Sequence, residues 1–346
     1  MKRRSATGGV YRWQAHWPVP GNRRAPFAMD GTCVAAGGLV RNYLVSLMVL
    51  PLLAGCAPVP KHVPAVGGPT IVSLNPCSDA ILAEVAAPGQ LLAISHYSHD
   101  PAATSMDLAM ARRFAATSGA AEEVFALRPD VVVAGSFLPG ATRRAFERMG
   151  IRVETLDVAH DLGESEAQVR QLAALAGRPA QGEALIARIE AALDKARPAP
   201  GSVPVDALVW QQGGIVAGPG SLIADLLART GFSSHSAARG LGQGAYLPLE
   251  QVLADPPDVV LAAGGERALS HPALKGLKGT HYEKLDPSLL FCGGPTIERA
   301  AERLAEVRTN VGARASTSSA RTDLERPGKP PLVLSLSKDM RKGPQT

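Results

Sequence analysis

A motif that occurs twice, 128 residues apart, constrains the fold of this chain more than any other feature. Residues 122–135 and 250–263 are identical at eight of fourteen positions. Each copy runs from a short predicted helix through a Pro-Asp turn, Pro129-Asp130 or Pro257-Asp258, into an apolar run. Such a run, bounded by turn signals, is typical of a strand buried on both faces of a parallel sheet. We therefore predict two similar α/β lobes in tandem, with a ligand cleft between them.

The net charge of +5 comes from the two ends of the chain and not from the predicted lobes. Residues 1–55 hold seven basic residues and one acidic residue, and residues 313–346 hold seven and three. The intervening span, residues 56–312, holds 22 basic and 27 acidic residues. An acidic body without a basic stripe argues against nucleic acid as a partner.

The N-terminal region predicts an exported lipoprotein. Arg41 precedes a thirteen-residue apolar stretch, residues 43–55, which is shorter than the roughly 20 residues of a membrane-spanning helix. It matches the apolar region of a secretory signal and ends in Leu53-Ala54-Gly55-Cys56, which resembles a bacterial lipobox. The resemblance implies cleavage before Cys56 and a membrane anchor of acyl chains on that residue. An ordinary buried helix with an incidental cysteine is the alternative.

Composition divides the chain into six segments. The first 39 residues are basic and interrupted by Gly and Pro, which favours a start codon assigned too far upstream. The C-terminal stretch has no periodic apolar pattern, which predicts a non-globular tail. The predicted segments are a leader with signal peptide (1–55), a Pro/Gly-rich tether (56–69), an N-terminal lobe (70–160), an interlobe helical segment (161–200), a C-terminal lobe (201–312) and the tail (313–346).

Strands and helices alternate within both predicted lobes, which is the pattern of parallel α/β folds. The turn after the first strand, residues 75–79, leads into a helix that Ser78 or Asp79 could cap. We predict strands at 71–74, 91–95, 131–134, 153–156, 207–210, 259–262 and 289–292, and helices at 142–149, 221–230 and 296–308.

Residues 162–197 show helical periodicity and no strand pattern. Gly177-Arg178-Pro179 is expected to interrupt this stretch and to leave one helix of about 18 residues, some 27 Å long. A helix of that length could bridge two lobes that lie side by side. A single rigid connection predicts small hinge motions and not wide closure.

Together these features resemble the substrate-binding proteins of ABC importers for cobalamin, ferric siderophores and haem. The matching features are the opening Val72-Ser73-Leu74-Asn75-Pro76, the loop with Tyr97, Ser98 and Pro101, the segment 122–132, and a lone interlobe helix. The resemblance implies two Rossmann-like lobes joined by a single long α-helix, with the ligand in the cleft between them. It also implies a monomer in the periplasm or cell envelope that works with an ABC permease and its ATPase.

In this family, one glutamate of each lobe docks onto arginines of the permease, and Glu122 and Glu250 match those positions. An exposed carboxylate on each lobe suits a two-fold partner, because charge complementarity sets the orientation of docking. The alternative is that each glutamate is a first-turn acid favoured by the helix dipole.

The cleft is expected to bind its ligand through aromatic side chains on loops after strand ends. Tyr97 matches a tyrosine of cobalamin-binding members, and Tyr246 lies where they have a tryptophan. At other aromatic positions of those members this chain has Ala116 and Gly135. We predict cobalamin or a related corrinoid as the ligand. The candidate ligand-binding residues are Tyr97, His96, His99, Phe137, Trp210 and Tyr246.

Ferric siderophores and haem are the alternatives within the same family. A ferric hydroxamate binder needs cations facing the ligand, and the cleft loops offer few besides Arg239 and Arg267. Haem would need an iron ligand, which Tyr97, His96 or His99 could supply. No zinc site is predicted, because neither a cysteine pair nor an HExxH helix accompanies these histidines.

Enzyme motifs are absent from the sequence. The turn at 75–79 has no glycine, so it is no GxGxxG dinucleotide site, and Gly218-Pro219-Gly220-Ser221 does not form a GxSxG elbow. No P-loop occurs either. We therefore predict no catalytic residue and no cofactor, and expect Gly264-Gly265 and Gly293-Gly294 to let backbone approach a ligand. An envelope lipoprotein with a scaffolding or enzymatic role is the alternative from another class.

The predicted exported body contains two cysteines, Cys77 and Cys292. An oxidising compartment permits a disulfide between them. Because nothing in the sequence brings them together, two buried free thiols are the favoured expectation.

Overall fold

The computed structural model of the protein describes residues 68–265 and 271–319, with side chains to residue 312. The predicted leader, the lipidation site Cys56, most of the tether, Arg267 and the end of the tail lie outside the described residues. Within the described ranges, no helix is both long and apolar enough to cross a membrane.

The first lobe is built on a five-stranded sheet in which every neighbouring pair is parallel. Its third strand was not predicted, because it is a short edge strand with two exposed alanines. The strands are β1 (Ile71–Ser73), β2 (Leu91–Ser95), β3 (Ala115–Thr117), β4 (Val131–Gly135) and β5 (Arg152–Leu156), in the spatial order β3-β2-β1-β4-β5.

Helices follow the strands of the first lobe, as the alternating pattern predicts. The helix after β1 is capped by Asn75, whose Oδ1 accepts a 2.8 Å hydrogen bond from the backbone N–H of Cys77. The expectation that Ser78 or Asp79 caps this helix is wrong, because both lie inside it and are buried. The helices are α1 (Pro76–Val85), α2 (Leu108–Ala111), α3 (Ala121–Leu127) and α4 (Gly140–Arg148).

Two helices, and not one, connect the lobes. Helix α5 (Leu162–Leu175) and helix α6 (Pro179–Ala196) are separated by a break at Gly177, which has a φ of +69°. The 18-residue helix expected after this break is present. The prediction of two α/β lobes is confirmed, but a single connecting helix is not, because α5 folds back against α6.

The second lobe has a mixed sheet centred on one long strand. That strand, β6, pairs in parallel with β8 and β9 and antiparallel with β7, and β10 pairs in parallel with β9. The strand expected at 289–292 is wrong: Asp286 and Pro287 begin a 3-10 turn there, and the strand comes earlier. The strands are β6 (Val205–Gln211), β7 (Ile215–Val216), β8 (Phe232–Ser234), β9 (Val259–Ala263) and β10 (His281–Leu285).

The closing helix of the second lobe is longer than the sequence pattern suggests. It runs past the predicted end at residue 308 into the segment expected to be non-globular. The helices of this lobe are α7 (Leu222–Arg229), α8 (His235–Ala238), α9 (Leu249–Ala254), α10 (Pro272–Lys275) and α11 (Thr296–Ser319).

The repeated motif forms the same unit in both lobes, namely a helix, a turn and a central buried strand. Oδ2 of Asp130 accepts a 2.8 Å hydrogen bond from the backbone N–H of Thr70, just before β1. Oδ2 of Asp258 likewise accepts a 3.0 Å bond from the backbone N–H of Asp206 in β6. The repeated aspartate therefore fixes the start of the neighbouring strand in each sheet.

A shared core and several polar contacts join the lobes. One cluster of buried side chains includes Ile81 of α1, Ile189 of α6 and Leu304 of α11. The Thr296 hydroxyl also donates a 2.9 Å hydrogen bond to the carbonyl of Ser105 in the first lobe. Because the lobes share buried apolar surface, small hinge motions remain the expectation.

A disulfide bond links Cys77, in the first turn of α1, to Cys292, in the loop before α11. The two residues are 215 positions apart, and their Cα atoms lie 4.9 Å apart, within the usual range for disulfides. The expectation of two free thiols is therefore wrong. The sequence could not show the pairing, because only the packing of the lobes brings the two segments together.

Candidate functional site

The strand order of the first sheet reverses between β1 and β4, which makes this the topological switch point of the lobe. Ligands of open α/β sheets bind outside the carboxyl ends of the strands at such a point. Three adjoining concavities, with volumes of about 140, 630 and 680 Å³, meet there around Phe137. We refer to them together as the switch-point cleft.

Phe137 is the most exposed large apolar side chain of the cleft, with 86% of its surface accessible. It follows β4 and Gly135, where an added Cβ would lie 2.7 Å from Nδ2 of Asn75. Glycine therefore lets the Asn75 side chain lie between the ends of β1 and β4. Asn75 lines two of the concavities, and its role as a cleft residue was not predicted, because its sequence position indicated only a turn.

Tyr97 lines the largest concavity and is half exposed. It lies in a 3-10 turn, residues 96–99, whose first N–H groups are capped by Ser95. Its hydroxyl has no hydrogen-bond partner among the described residues. The ring of His96 packs against the Tyr97 ring in a tilted arrangement, with centroids 4.1 Å apart and planes at 35°. The turn thus presents the phenol to the cleft, and its role in ligand binding remains a prediction.

The turn that carries Tyr97 is held by a buried carboxyl group. Oδ2 of Asp79 accepts hydrogen bonds from the Ser98 hydroxyl at 2.6 Å and from the Ser95 backbone N–H at 3.0 Å. Burial raises the pKa of Asp79 to about 8, although these hydrogen bonds oppose the shift. The carboxyl group is therefore largely neutral at pH 7.

The two histidines of the turn differ in position. Nδ1 of His96 lies 3.3 Å from the carbonyl oxygen of Thr117, and its Nε2 has no hydrogen-bond partner among the described residues. Nε2 of His99 lies 3.1 Å from the carbonyl oxygen of Ala111, at the end of α2. The structure therefore brings His96, and not His99, to Tyr97. In the described ranges, no three His, Cys, Asp or Glu residues cluster as a metal site.

Trp210 is a core residue, which corrects its predicted place on the cleft surface. It is 1% exposed, packs in the second-lobe cluster with Leu208 and Val260, and its Nε1 donates a 3.0 Å hydrogen bond to the carbonyl of Leu247. Both its neighbours in the sheet, Val216 and Ala262, are buried too.

Tyr246, by contrast, is 66% exposed. It forms an isolated β-bridge with Ile215, near the carboxyl end of β6. Its ring packs on Gly214, where an added Cβ would lie 2.6 Å from Cε2 of Tyr246. Tyr246 therefore lies at the strand-end edge of the second sheet but does not line the three concavities around Phe137.

Of the two cations that the sequence suggested, only Arg239 lies within the described residues. Arg239 is largely buried, pairs with the Asp255 carboxylate and donates to its backbone carbonyl at 2.7 Å. The exposed Arg144 lies in the second turn of α4, and its guanidinium reaches back to the start of the helix, where Nη1 would be 3.4 Å from a Cβ added to Gly140. Arg144 has no ion-pair partner in the described part of the chain. Helix α4 also lacks a side-chain cap at its N-terminus.

Phe291 is a cleft residue that the sequence analysis missed. It is 53% exposed and lines the smallest concavity with Asn75 and Cys77. The sequence could have indicated this position only through the adjacent Cys292, because its disulfide partner Cys77 also lines the cleft. Of the two glycines that follow, Gly293 lines the same concavity, and a role of this backbone in ligand approach remains a prediction. An added Cβ at Gly293 would lie 2.2 Å from Oγ of Ser165, so this turn is shaped by helix α5.

Glu122 and Glu250 occupy equivalent places in the first turns of α3 and α9. Both are exposed, and neither side chain has a hydrogen-bond or ion-pair partner in the described residues. The adjacent Glu123, in contrast, accepts hydrogen bonds from Thr117 and Ser118. The two predicted docking carboxylates are therefore free, and their role in docking remains a prediction.

Known structures share this architecture. The haem-binding protein RhuT from Roseiflexus sp. RS-1, in its apo form, is 22% identical, covers 71% of this chain and 99% of its own, and has a TM-score of 0.57. HutB of Vibrio cholerae, a haem-binding protein, is 17% identical with coverages of 69% and 98% and a TM-score of 0.58. Helicobacter pylori CeuE with bound Ni(II) is 16% identical with coverages of 70% and 83% and a TM-score of 0.54.

At these identities the structural similarity establishes the fold alone. No curated protein is significantly similar in sequence to this chain. The family model described as "Periplasmic binding protein" matches residues 71–281, which is more than half of the chain. A periplasmic or envelope location agrees with the disulfide, since such bonds persist in oxidising compartments. The chain belongs to the periplasmic binding protein family, whose members are substrate-binding proteins of ABC transporters and not enzymes.

Proposed function

We propose that this protein captures haem, or a closely related iron tetrapyrrole, in the switch-point cleft and delivers it to an ABC permease. The observation that carries the proposal is the free phenol of Tyr97, held by a rigid turn at the edge of an exposed aromatic surface. Tyrosine oxygen is an established axial ligand of haem iron. The neighbouring ring of His96, which packs against Tyr97, would keep this phenol in place while iron binds.

The surface of the cleft suits a flat macrocycle. Phe137, Val158 and Phe291 are half or more exposed around the same concavities. Aromatic rings cover large planar ligands while losing few rotamers. Haem also carries two carboxylates, and a helix N-terminus with free N–H groups attracts anions. The uncapped start of α4, with Arg144 beside it, would receive them.

The ligand expected from the sequence, cobalamin, becomes the second candidate. RhuT and HutB, which share this fold, are haem-binding proteins, and this supports haem as the ligand. Corrinoid side groups are mainly amides, so they would gain less from the positive start of α4. Ferric siderophores would need several free cations, and Arg239 is already paired.

Absorbance titration with ferric haem tests the proposal. Wild-type protein should bind one haem and develop the charge-transfer band of an iron-phenolate complex. Tyr97→Phe should lose this band and bind at least tenfold more weakly, which corresponds to about 1.4 kcal/mol. Tyr246→Phe is the matched control and should keep the band. A Tyr97→Phe spectrum identical to wild type would reject Tyr97 as the iron ligand.

The anchor remains part of the same proposal. Acyl chains on Cys56 would keep the binding protein at the membrane that holds its permease. Metabolic labelling with a radioactive fatty acid should mark the wild-type protein and leave Cys56→Ala unmarked. Equal labelling of both would exclude Cys56 as the lipidated residue.

A further inference from the structure

We propose that Phe291 forms the second-lobe wall of the ligand site, and that the Cys77–Cys292 disulfide fixes it in that position. The inference rests on the proposed role of the switch-point cleft as the ligand site, but not on which ligand binds there. It assigns a specificity-determining side chain to a loop for which the sequence predicted only a strand.

The exposure of Phe291 is exceptional within its own segment. Its neighbours in the chain are all buried, namely Leu289, Leu290, Cys292, Gly293 and Gly294. Phe291 alone in this run is exposed, at 53%. A large aromatic ring that a buried loop presents to a concavity is a surface available for an apolar ligand.

The loop that carries Phe291 is fixed on both sides. Ahead of it, Asp286 caps the 3-10 turn through its bond to the N–H of Ser288. Behind it, the N–H of Gly294 donates a 2.8 Å hydrogen bond to Oγ of Ser165 in α5. The disulfide at the adjacent Cys292 then ties this loop to α1 of the first lobe. The backbone that carries the ring is therefore held in place.

Phe291 shares a concavity with an aromatic residue of the first lobe. It lines the concavity of about 140 Å³ together with Phe137, which comes from the loop after β4 in the first lobe. The disulfide joins the two sides of this concavity through Cys77, which lines it too. Two exposed aromatic side chains in one concavity offer apolar contact to a planar ligand. Removing the bond should therefore loosen the second wall.

Titration of matched variants with haem, cyanocobalamin and ferrichrome tests the first part. Phe291→Ala should weaken binding of whichever probe the wild-type protein binds by about tenfold or more, as expected for the loss of a buried aromatic contact. Phe125→Ala is the control, because Phe125 is 52% exposed on α3 and lies outside the three concavities. It should bind like wild type. Thermal unfolding of both variants checks that each is folded.

The double variant Cys77→Ser/Cys292→Ser tests the second part. It should also weaken binding, and it should cause little further loss when combined with Phe291→Ala, because both changes remove the same wall. Fully additive losses would show that the disulfide does not act through Phe291. If the wild-type protein binds one of the probes and Phe291→Ala binds it equally tightly, this inference is rejected but the proposed function is not. Failure of wild type to bind any of the three probes would reject the proposed function and this inference together.

Discussion

The hydroxyl of Ser98 donates a 2.6 Å hydrogen bond to Oδ2 of Asp79, and both side chains are fully buried. The same oxygen accepts the backbone N–H of Ser95 at 3.0 Å. Because Tyr97 lies between these two serines, one carboxyl group of α1 holds both sides of the turn that presents the phenol. The geometry of the candidate iron ligand therefore depends on a residue that never contacts the cleft.

This buried carboxyl group makes stability depend on pH. Burial raises the pKa of Asp79 from 3.8 to about 8, so between these values the folded protein keeps a proton that the unfolded chain has lost. The stabilising contribution of the neutral group is complete below about pH 4 and is lost as the pH rises through about 8. We expect the thermal unfolding temperature to fall between pH 5 and pH 8, and to fall less in Asp79→Asn.

The asparagine variant keeps an acceptor for Ser95 and Ser98 but cannot titrate in this range. Glu190→Gln, which removes an exposed carboxylate from α6, is the matched control and should follow the wild-type pH profile. Equal slopes for wild type and Asp79→Asn would contradict the assignment.

Trp210 should matter for stability and not for binding. Trp210→Ala should lower the free energy of unfolding by about 3 to 5 kcal/mol, because it leaves a cavity in the second-lobe core. Trp210→Phe fills most of that space but loses the bond to the Leu247 carbonyl. It should therefore cost less and keep the wild-type affinity for ligand. Chemical denaturation measures the change in stability, and ligand titration measures the change in affinity. Much weaker binding by a folded Trp210→Phe variant would show that Trp210 is a ligand-binding residue.

Glu122 and Glu250 should matter for transport and not for capture. Replacing both by Ala should abolish uptake in cells that carry the matching permease, because charge pairs at both lobes orient docking. Ligand affinity of the purified double variant should remain unchanged, since neither side chain lines the cleft. Glu147→Ala, an exposed glutamate on α4 without a partner in the described residues, serves as control. Normal uptake by the double variant would exclude these residues as docking contacts.

Local patterns predicted the parts of the fold that depend on short segments. The repeated Pro-Asp motif correctly located β4 and β9, because a buried parallel strand needs a continuous apolar run. Strand β10 was missed, since its burial is partial and Tyr282, Glu283 and Lys284 interrupt any apolar pattern. The sequence predicted one connecting helix where the structure has two, because hydrophobic periodicity indicates a helix but does not show how two helices pack against each other.

The candidate site was predicted less completely, because it depends on contacts between distant segments. Tyr97 and Phe137 could be assigned to the cleft, since each follows a predicted strand. Trp210 could not be separated from them, because a strand-end aromatic and a core aromatic look alike in sequence. Phe291 was missed because its position depends on the pairing of Cys77 with Cys292, which only the packing of the lobes determines.

Isothermal titration of the purified protein with ferric haem, beside cyanocobalamin and ferrichrome, separates the proposed ligand from its alternatives. We expect tight one-to-one binding of haem and at least tenfold weaker binding of the other two. Tight binding of cyanocobalamin with none of haem would keep the protein in its family but contradict the proposed ligand and the role of Tyr97 as an iron ligand.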